Sequence, residues 1–573
     1  MPARACSLTF ALGWFALLVA QGSTPDSSIV PTIYINAGIY EPASTDAHTR
    51  ECSVDREIRA TSDCLGAIAV RGDKIAAVGP TKEILDQYRS KNSQVIDLGG
   101  HFVMAGLNDA HVHLASAGSE KLNVDLVGVK SLEEMQERIA ARVKTAAMGE
   151  WIVGDGWDHT LWDSKQLPTR IDIDKVTAGH PAIFSRVDGH ISVTNSAALA
   201  AAGIDRNAQD PPGGKFDRRP SGELTGIARE TAVDKIDSHI PAPTAAQRRR
   251  ALELATQDAV HHGLTSVQDY STWNDFLVFE QMEREGALPV RVTEWLTFND
   301  PLDVLEKHRA SHPANDPMLH TGFLKGFMDG SLGSRTAALL APYADDPGNI
   351  GIPQYDQQKL NDMTIERAKS GFQIGFHAIG DRAVRMALDA FAAAEAAGYG
   401  KDLRFRIEHA QVMAPSDFER FQSLGVIASM QPNHLLTDMR WAEARLGPER
   451  TATSYAWKKF LDEGVPLAFG TDYPVEPVTP FRGIYAAVTR MDEAGKSSYH
   501  PEQKLTISQA LDAYTVGAAY AEFAEDRLGK LVPGYLADFV VLDRDITRIP
   551  AGEILGTKVL RTVVGGKTVW ETK

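Results

Sequence analysis

The stretch Asp109-Ala110-His111-Val112-His113-Leu114 follows the apolar run GHFVMAGLN at residues 100–108 and places two histidines one residue apart. Side chains alternate between the two faces of a β-strand, so residues i and i+2 project in the same direction. We therefore expect His111 and His113 to direct two imidazoles at one point at the end of a strand. This arrangement suits a metal ion if other parts of the chain supply further ligands.

Short apolar segments followed by polar loops alternate with helical patterns through the middle of the chain. Such alternation is typical of βα units and a parallel sheet. With the strand that leads into His111, these segments make eight strands and predict an α/β fold, a (β/α)8 TIM barrel. The other predicted strands span residues 264–269, 290–296, 324–328, 373–377, 404–409, 426–430 and 466–470.

Both ends of the chain are rich in β-type residues. Residues 31–105 contain TIYINAGIY and GAIAVRGDKIAAVG, and residues 525–573 contain LADFVVLD and KVLRTVVGGKTVW. Neither end can easily cover its own apolar face, so we expect a composite β-sandwich built from both termini. The barrel is then assigned to residues 106–524. Residues 120–255 are too long for one βα connection and predict an inserted subdomain near the barrel mouth.

The N-terminus has the layout of a secretory signal. Arg4 precedes the apolar stretch LTFALGWFALLVA at residues 8–20, and small residues follow. Residues 1–22 are therefore predicted to be a signal peptide that exports the protein to the periplasm or the medium, with a retained membrane anchor as the alternative. Beyond it, Cys52 and Cys64 can form a disulfide in an oxidising compartment, and two separate thiols are the alternative.

The composition narrows the class of partner. The 573-residue chain has a formal net charge of −16, which argues against nucleic acid or an anionic membrane as the main partner. No later segment reads as transmembrane, so no stable membrane span is expected after signal cleavage. A small-molecule substrate is the expected partner. The oligomeric state is left open, with a homo-oligomer among the alternatives.

Polar residues stand at the ends of the predicted barrel strands, where such barrels carry their functional residues. Taken singly, each is typical of a structural histidine or a surface lysine. The complete set in the order His-x-His, Lys, His, His, Asp, each at a strand end, is far less expected by chance than any one of these residues alone. The candidates are His111, His113, Lys325, His377, His409 and Asp472.

These residues lie in motifs that resemble the amidohydrolase superfamily of metal-dependent hydrolases. The closer resemblance is to its YtcJ-like (amidohydrolase-3) branch, which includes N-substituted formamide deformylases. The resemblance runs from about residue 31 to the end and implies a (β/α)8 barrel with a split β-sandwich. The motifs include DAHVHL (109–114), GDGWDHTLW (154–162), MDGSLGSRTAAL (328–339), FHAIGDRA (376–383), RIEHAQ (406–411) and GTDYPVEPVTPF (470–481).

The resemblance implies a binuclear site with two divalent metal ions, for which zinc is the expected metal. His111, His113 and Asp472 would hold the more buried ion, and His377 and His409 the more exposed one. Ligand type alone also admits manganese, iron or nickel.

It also implies that Lys325 carries a CO2-derived carbamate that bridges both ions. A free ammonium would repel dications, whereas a carbamate is an anionic oxygen ligand. The predicted reaction is hydrolysis of an amide, or another C–N bond at a carbonyl, by a metal-activated hydroxide. Asp472 is the expected general base and acid, and His434 could hydrogen-bond the substrate carbonyl or oxyanion.

Further residues are candidates for substrate contact around the predicted mouth. Those in the insertion could equally form its own core and helix caps. The candidates are Trp157, Asp158, His159, Trp162, Arg186, Asp188, His190, Asn195, Asp329, Arg335 and Gln431.

Three other functions remain as alternatives. A non-catalytic exported binding or regulatory protein of the same fold is disfavoured because every proposed ligand is present. An esterase or lactonase could use the same metal site. A deaminase is disfavoured because mononuclear deaminase branches carry a glutamate where this chain has Gly380.

Overall fold

The computed structural model describes residues 29–40, 65–187 and 190–572. The predicted signal at residues 1–22, both cysteines of the predicted disulfide (Cys52 and Cys64) and Asp188 lie outside these described residues. The described strands, numbered along the chain, are β1 (Thr32–Ile39), β2 (Gly66–Arg71), β3 (Lys74–Pro80), β4 (Gln94–Asp97), β5 (Phe102–Ala105), β6 (Leu107–Val112), β7 (Val124–Asp125), β8 (Ile152–Trp157), β9 (Ala182–Arg186), β10 (Ile191–Thr194), β11 (Gly214–Arg218), β12 (Leu224–Glu230), β13 (Leu264–Asp269), β14 (Arg291–Thr297), β15 (Leu319–Phe327), β16 (Gln373–Ala378), β17 (Arg406–His409), β18 (Ile427–Met430), β19 (Leu467–Phe469), β20 (Phe539–Leu542), β21 (Val559–Val564) and β22 (Lys567–Glu571).

The described α-helices are numbered in the same way. They are α1 (Thr81–Tyr88), α2 (Leu114–Leu122), α3 (Leu132–Val143), α4 (Arg170–Asp174), α5 (Ser196–Ala201), α6 (Thr231–Asp237), α7 (Ala245–His261), α8 (Trp273–Arg284), α9 (Leu302–Ala310), α10 (Gln357–Lys369), α11 (Asp381–Ala396), α12 (Phe418–Leu424), α13 (Asn433–Asp438), α14 (Ala442–Leu446), α15 (Pro448–Thr451), α16 (Trp457–Asp462), α17 (Pro480–Thr489), α18 (Ile507–Ala513) and α19 (Val516–Ala521). Among the described residues, no helix combines the length and apolar character needed to cross a membrane.

The predicted barrel is confirmed. Eight strands form one sheet in the order β19-β18-β17-β16-β15-β14-β13-β6, and each paired neighbour in it is parallel. Helices between the strands cover its outer face, so β6, for example, is buried along its whole length. Because the strands are parallel, all their carboxyl ends meet at one face of the barrel.

Backbone hydrogen bonds between the end of β6 and the segment that follows β19 close the barrel. Beyond β19, the amide of Asp472 donates to the carbonyl of His111 at 2.8 Å, and the amide of His113 donates to the carbonyl of Tyr473 at 2.8 Å. A buried carboxylate supports this closure, because Asp109 accepts hydrogen bonds from the amide and the hydroxyl of Thr471 at 2.8 and 2.6 Å. Closure therefore brings the end of the last strand beside the paired histidines of the first.

Strands from both ends of the chain form a second sheet, as expected. Its order is β22-β21-β20-β5-β1-β2-β3, with β4 paired to β1. The two halves share one hydrophobic cluster, in which the ring of Tyr34 meets the ring of Phe539 edge-on at 4.9 Å. The N-terminal strands and the C-terminal strands thus bury each other's apolar faces.

The segment between α2 and α7 forms a separate sheet in the order β11-β12-β10-β9-β8-β7. It has its own buried clusters, one of which contains the fully buried side chains of Trp157 and Trp162. The chain returns to the barrel at α7, which begins with a reciprocal cap: the amide of Gln247 donates to the hydroxyl of Thr244, and the amide of Thr244 donates to the Gln247 side chain.

Candidate active site

The end of β6 and the loop after β19 bring three metal-type donors together. His113 Nε2 lies 3.2 Å from Asp472 Oδ1, and His111 Nε2 lies 3.6 Å from the same oxygen. The two imidazole rings are 5.3 Å apart, as expected for residues i and i+2 of one strand. One ligand atom from each of the three residues falls within 4.8 Å of the others, which is the spacing of a single metal site.

The next two histidines of the pattern stand beside this group. The rings of His377 and His409 are 4.5 Å apart, and the ring of His409 is 5.0 Å from that of His111. Burial lowers the pKa of His377 to about 4, so this imidazole is neutral and can offer a lone pair. His409 Nδ1 is buried without a hydrogen-bond partner among the described residues. An orphaned ring nitrogen in this position fits a metal ligand.

Lys325 extends from β15 into the same cluster. Its side chain is 1% exposed, and its Nζ lies 2.9 Å from His111 Nε2 and 5.4 Å from the centre of the Trp295 ring. No carboxylate forms an ion pair with it in the part of the chain that the structure describes. Burial lowers the pKa of the Lys325 amine to about 8, although Glu408 and Asp472 oppose this shift. Burial also lowers the pKa values of His111, His377 and His409, so these imidazoles are neutral donors that fit divalent cations.

His434 contacts the carboxylate that completes this cluster. His434 Nε2 lies 2.9 Å from Asp472 Oδ2, and His434 Nδ1 lies 3.7 Å from Glu476 Oε1. Burial alone would raise the pKa of Asp472, but hydrogen bonds from His113 and His434 outweigh it and hold this pKa well below the usual range. Asp472 is therefore a carboxylate at neutral pH, with its two oxygens directed at different histidines.

Glu408 also contacts this cluster, and the sequence pattern assigned it no role. Its Oε2 lies 2.7 Å from His111 Nδ1, and its Oε1 accepts a hydrogen bond from Arg406 Nε at 3.0 Å. A carboxylate on Nδ1 leaves Nε2 of His111 free for a metal and fixes the orientation of the ring. The signal was present in RIEH, where Arg406 and Glu408 share one face of a buried strand.

Asp329 connects the loops after β15 and β16, beside His377. Its carboxylate accepts hydrogen bonds from the backbone amides of Ala338, Ile379 and Gly380 at 2.9, 3.1 and 2.8 Å. Its Oδ1 also lies 3.5 Å from His377 Nε2. Asp329 thus holds the loops after β15 and β16 in place, and its role in substrate contact stays a prediction.

Two other predicted mouth residues have different surroundings. Arg335 forms a two-pronged ion pair with Asp345, at 3.1 and 2.9 Å. Gln431 is buried; its Nε2 donates to the carbonyl of Ser429 at 3.1 Å, and its Oε1 has no partner among the described residues. Gln431 therefore has a polar atom left for a ligand.

In the insertion, several predicted residues support the subdomain itself. Trp157 Nε1 donates to the carbonyl of Phe184, and Trp162 Nε1 donates to the carbonyl of Val129, at 2.8 and 3.1 Å. Asn195 caps α5.

The polar candidates of the insertion pair with one another or with neighbours there. Arg186 donates to Asp158 at 2.8 Å, His190 Nδ1 lies 3.0 Å from Glu230, and the ring of His159 stands 6.1 Å from that of Trp157. These contacts do not join the histidine cluster, so substrate contact by these residues stays a prediction.

The barrel and the cluster of histidines, lysine and aspartate at its carboxyl face define a metal-dependent hydrolase. Residues 94–570 match the model of the amidohydrolase family, and the chain belongs to that family. The family, with relatives named as an amidohydrolase and a deformylase, makes this protein a hydrolase that acts on carbon–nitrogen bonds. Residues 66–89 also match an imidazolonepropionase-like composite domain of bacteria.

Relatives match along most of their length. The chain is 34% identical to the protein LONG AFTER FAR-RED 3 of Arabidopsis thaliana over 88% of both chains. It is 31% identical to the amidohydrolase YtcJ of Bacillus subtilis, over 88% of this chain and 96% of the relative. It is 27% identical to an N-substituted formamide deformylase of Arthrobacter pascens, over 90% of this chain and 97% of the relative. A solved metal-dependent hydrolase of Pyrococcus horikoshii superposes with a TM-score of 0.71 at 30% identity, covering 91% of this chain and 99% of that one.

Proposed function

We propose that the protein is a binuclear, metal-dependent amidohydrolase that hydrolyses an amide C–N bond, with N-substituted formamides and other small acyl amides as the first substrate class to examine. The observation that carries this proposal is Lys325. A buried amine 2.9 Å from His111 Nε2, with no ion-pair partner among the described residues, matches a bridging carbamate better than a bare ammonium.

The ligands divide between two ions, for which zinc is the proposed metal. His111, His113 and Asp472, whose ligand atoms lie within 4.8 Å of one another, would hold the first ion. His377 and His409, whose rings are 4.5 Å apart, would hold the second. When bound, the ions lower the pKa of a water molecule and polarise the substrate carbonyl as Lewis acids.

The chain itself supplies the conditions for the carbamate on Lys325. With a pKa of about 8, roughly a tenth of the Lys325 amine is unprotonated at pH 7, far more than for an exposed lysine. The free amine attacks the carbon of CO2, a new N–C bond forms, and one proton is released to water. The product is an anion that can bridge two cations, and it replaces a positive charge that would repel them.

Asp472 and His434 are placed to handle the proton of the reaction. Asp472 is ionised and faces His113 and His434 through different oxygens, so one oxygen can accept the proton of the attacking water. The same carboxyl then delivers that proton to the leaving nitrogen as the C–N bond breaks. His434 would hold Asp472 in position through Nε2, and the hydrogen bond to the substrate oxygen proposed for it would require this N–H to turn away from Asp472.

The structure supports an amidohydrolase over a mononuclear deaminase. Such a deaminase requires a glutamate side chain at the position of Gly380. A Cβ added there would lie 2.0 Å from the carbonyl oxygen of Ala338, so the backbone leaves no room for any side chain. Gly380 therefore packs two loops together instead of carrying an acid.

Replacement of the bridging residue tests the proposal. In Lys325→Ala we expect fewer bound metal ions and a loss of kcat/KM of about a hundredfold or more, because one anionic ligand to both ions is removed. Elemental analysis and a screen of N-formyl, N-acyl amino acid and cyclic amide compounds measure both effects, and small carboxylic acids should restore part of the activity. Lys307→Ala, which removes an exposed lysine on α9, is the matched control. Full metal content and full activity in Lys325→Ala would contradict the bridging role.

Export is the second part of the proposal. The apolar stretch LTFALGWFALLVA behind Arg4 supports it. N-terminal sequencing of the protein from its native host checks it: a mature chain that begins near residue 23 supports cleavage, and a chain that begins at Met1 in the cytoplasm opposes it.

A further inference from the structure

Phe327 is an exposed aromatic residue on the inner side of the barrel mouth. It ends β15 two residues after Lys325, so both side chains lie on the face of the strand that looks into the barrel. Between them, Gly326 faces the opposite way, because a Cβ there would meet Phe376 and Phe298 in the surrounding core. Lys325 is buried, whereas Phe327 is 38% exposed. Its ring therefore lies above the buried cluster, at the level where a substrate enters.

The ring of Phe327 adjoins residues that the proposed function assigns to the metals. Its centroid is 5.4 Å from the ring of His377 and 5.2 Å from Nζ of Lys325. On its other side it meets the ring of Tyr270 at 5.6 Å, and Tyr270 in turn meets the ring of His113 edge-on at 5.9 Å. Phe327 and Tyr270 thus form a continuous aromatic surface from one metal ligand group to the other.

An apolar side chain is also exposed on the far side of the mouth. In the barrel order, β15 and β19 are four strands apart, so they stand opposite each other. The loop after β19 carries Asp472 and, three residues later, Val475, which is 67% exposed. Phe327 and Val475 thus present apolar surface on opposite sides of the mouth, which the apolar part of a ligand would cover.

We propose that Phe327 is a specificity-determining residue that binds a flat, apolar substituent, an aryl group above all, next to the scissile bond. The proposal rests on the function proposed above and adds the chemical class of the substrate. The ring of Phe327 gives an aryl group an offset-stacked or edge-to-face partner, whereas a short alkyl substituent would leave it uncovered. Small amides with an aryl side group are then preferred over their methyl counterparts.

Equilibrium binding of two hydroxamates to the metal-loaded protein tests this. Phenylacetohydroxamate and acetohydroxamate share the metal-chelating group and differ by one phenyl ring. Calorimetry should show that the phenyl compound binds at least about tenfold more tightly to the wild-type protein. Phe327→Ala should abolish this preference, Phe327→Tyr should keep it, and Phe327→Leu should keep part of it.

The controls separate the two proposals. Elemental analysis of each variant shows whether metal content is retained, and Leu277→Ala removes a comparably exposed side chain on the outer helix α8. If both compounds bind with equal affinity to the wild-type protein, the assignment of Phe327 is wrong and the metal site stands. The same conclusion follows if metal-loaded Phe327→Ala still binds the phenyl compound more tightly. If neither compound binds to protein prepared with zinc, the metal site itself is wrong and the assignment falls with it.

Discussion

Two neighbouring residues, Glu408 and His409, both reach the centre of the site, although alternation along a strand would place them on opposite faces. The backbone explains this, because His409 has a φ of 72° and the following Ala410 a φ of 43°. The left-handed conformation is unfavourable for residues with a side chain and is maintained only where the surroundings require it. It turns the imidazole of His409 back toward the histidines while Glu408 holds His111.

Glu408 should therefore control metal affinity without being a ligand. In Glu408→Gln we expect metal affinity to fall about 10- to 100-fold, because the amide no longer fixes His111 as a neutral Nε2 ligand. Competition with a chelator of known affinity measures the change.

The matched control is Glu366→Gln, which changes a half-exposed glutamate on α10. The account would be contradicted if Glu408→Gln bound metal as tightly as this control. Such a result would mean that the contact between Glu408 and His111 has no part in holding the metal.

The sequence pattern predicted the positions of the barrel strands, because each strand is an apolar run that ends in a polar loop. The predicted strand at residues 264–269 coincides with β13, and six others differ from the observed strands at their ends. The largest difference is β15, which begins at Leu319 and not at residue 324, because its first half is only partly buried and lacks an apolar pattern.

The residues that sequence reasoning missed have a common physical cause. Asp109 and Glu408 lie within buried strands, and their partners, Thr471 and His111, are hundreds of residues away along the chain. Local periodicity indicates which face a side chain occupies but not which distant group meets it there. The set of histidines, lysine and aspartate could be predicted because each stands at a strand end. In a barrel of parallel strands, all these ends meet at one face, so the side chains come together there.

Barrel closure between β19 and β6 depends on a close backbone approach at Gly470. A Cβ at this position would lie 2.6 Å from the amide nitrogen of His111 and 2.9 Å from Asp109 Oδ1. We expect Gly470→Ala to lower the free energy of unfolding by about 1–3 kcal/mol. It should also weaken metal binding, because Asp472 moves away from His111. Chemical denaturation and elemental analysis measure the two effects.

Gly552→Ala is the matched control, since nothing lies near a Cβ added there and its backbone does not require glycine. If Gly470→Ala were as stable and as rich in metal as Gly552→Ala, closure at this point would not position the site.

Over the whole molecule, the sheet formed by both chain ends is tied to the barrel by a buried ion pair. Arg291 begins β14, and its Nε and Nη2 donate to the carboxylate of Asp538 at 2.6 and 2.9 Å, with both side chains 5% exposed. Asp538 also accepts a hydrogen bond from the amide of Gly565 in the turn between β21 and β22. One carboxylate thus joins a barrel strand to the C-terminal hairpin.

Removal of this carboxylate charge should destabilise the assembled protein. In Asp538→Asn we expect a loss of about 3–5 kcal/mol, because Arg291 remains buried without an opposite charge. Thermal unfolding followed by calorimetry measures the loss. Asp303→Asn, which breaks an exposed pair with Lys307, should change stability by no more than about 0.5 kcal/mol. Equal melting temperatures for the two variants would show that the pair does not hold the sheet to the barrel.

The most direct test is a crystal structure of the zinc-loaded protein, grown in the presence of bicarbonate, with anomalous scattering recorded at the metal edge. We expect two anomalous peaks, one among His111, His113 and Asp472 and one beside His377 and His409, with a carbamate on Lys325 between them. A bare lysine amine, a single peak, or peaks away from these side chains would contradict this expectation.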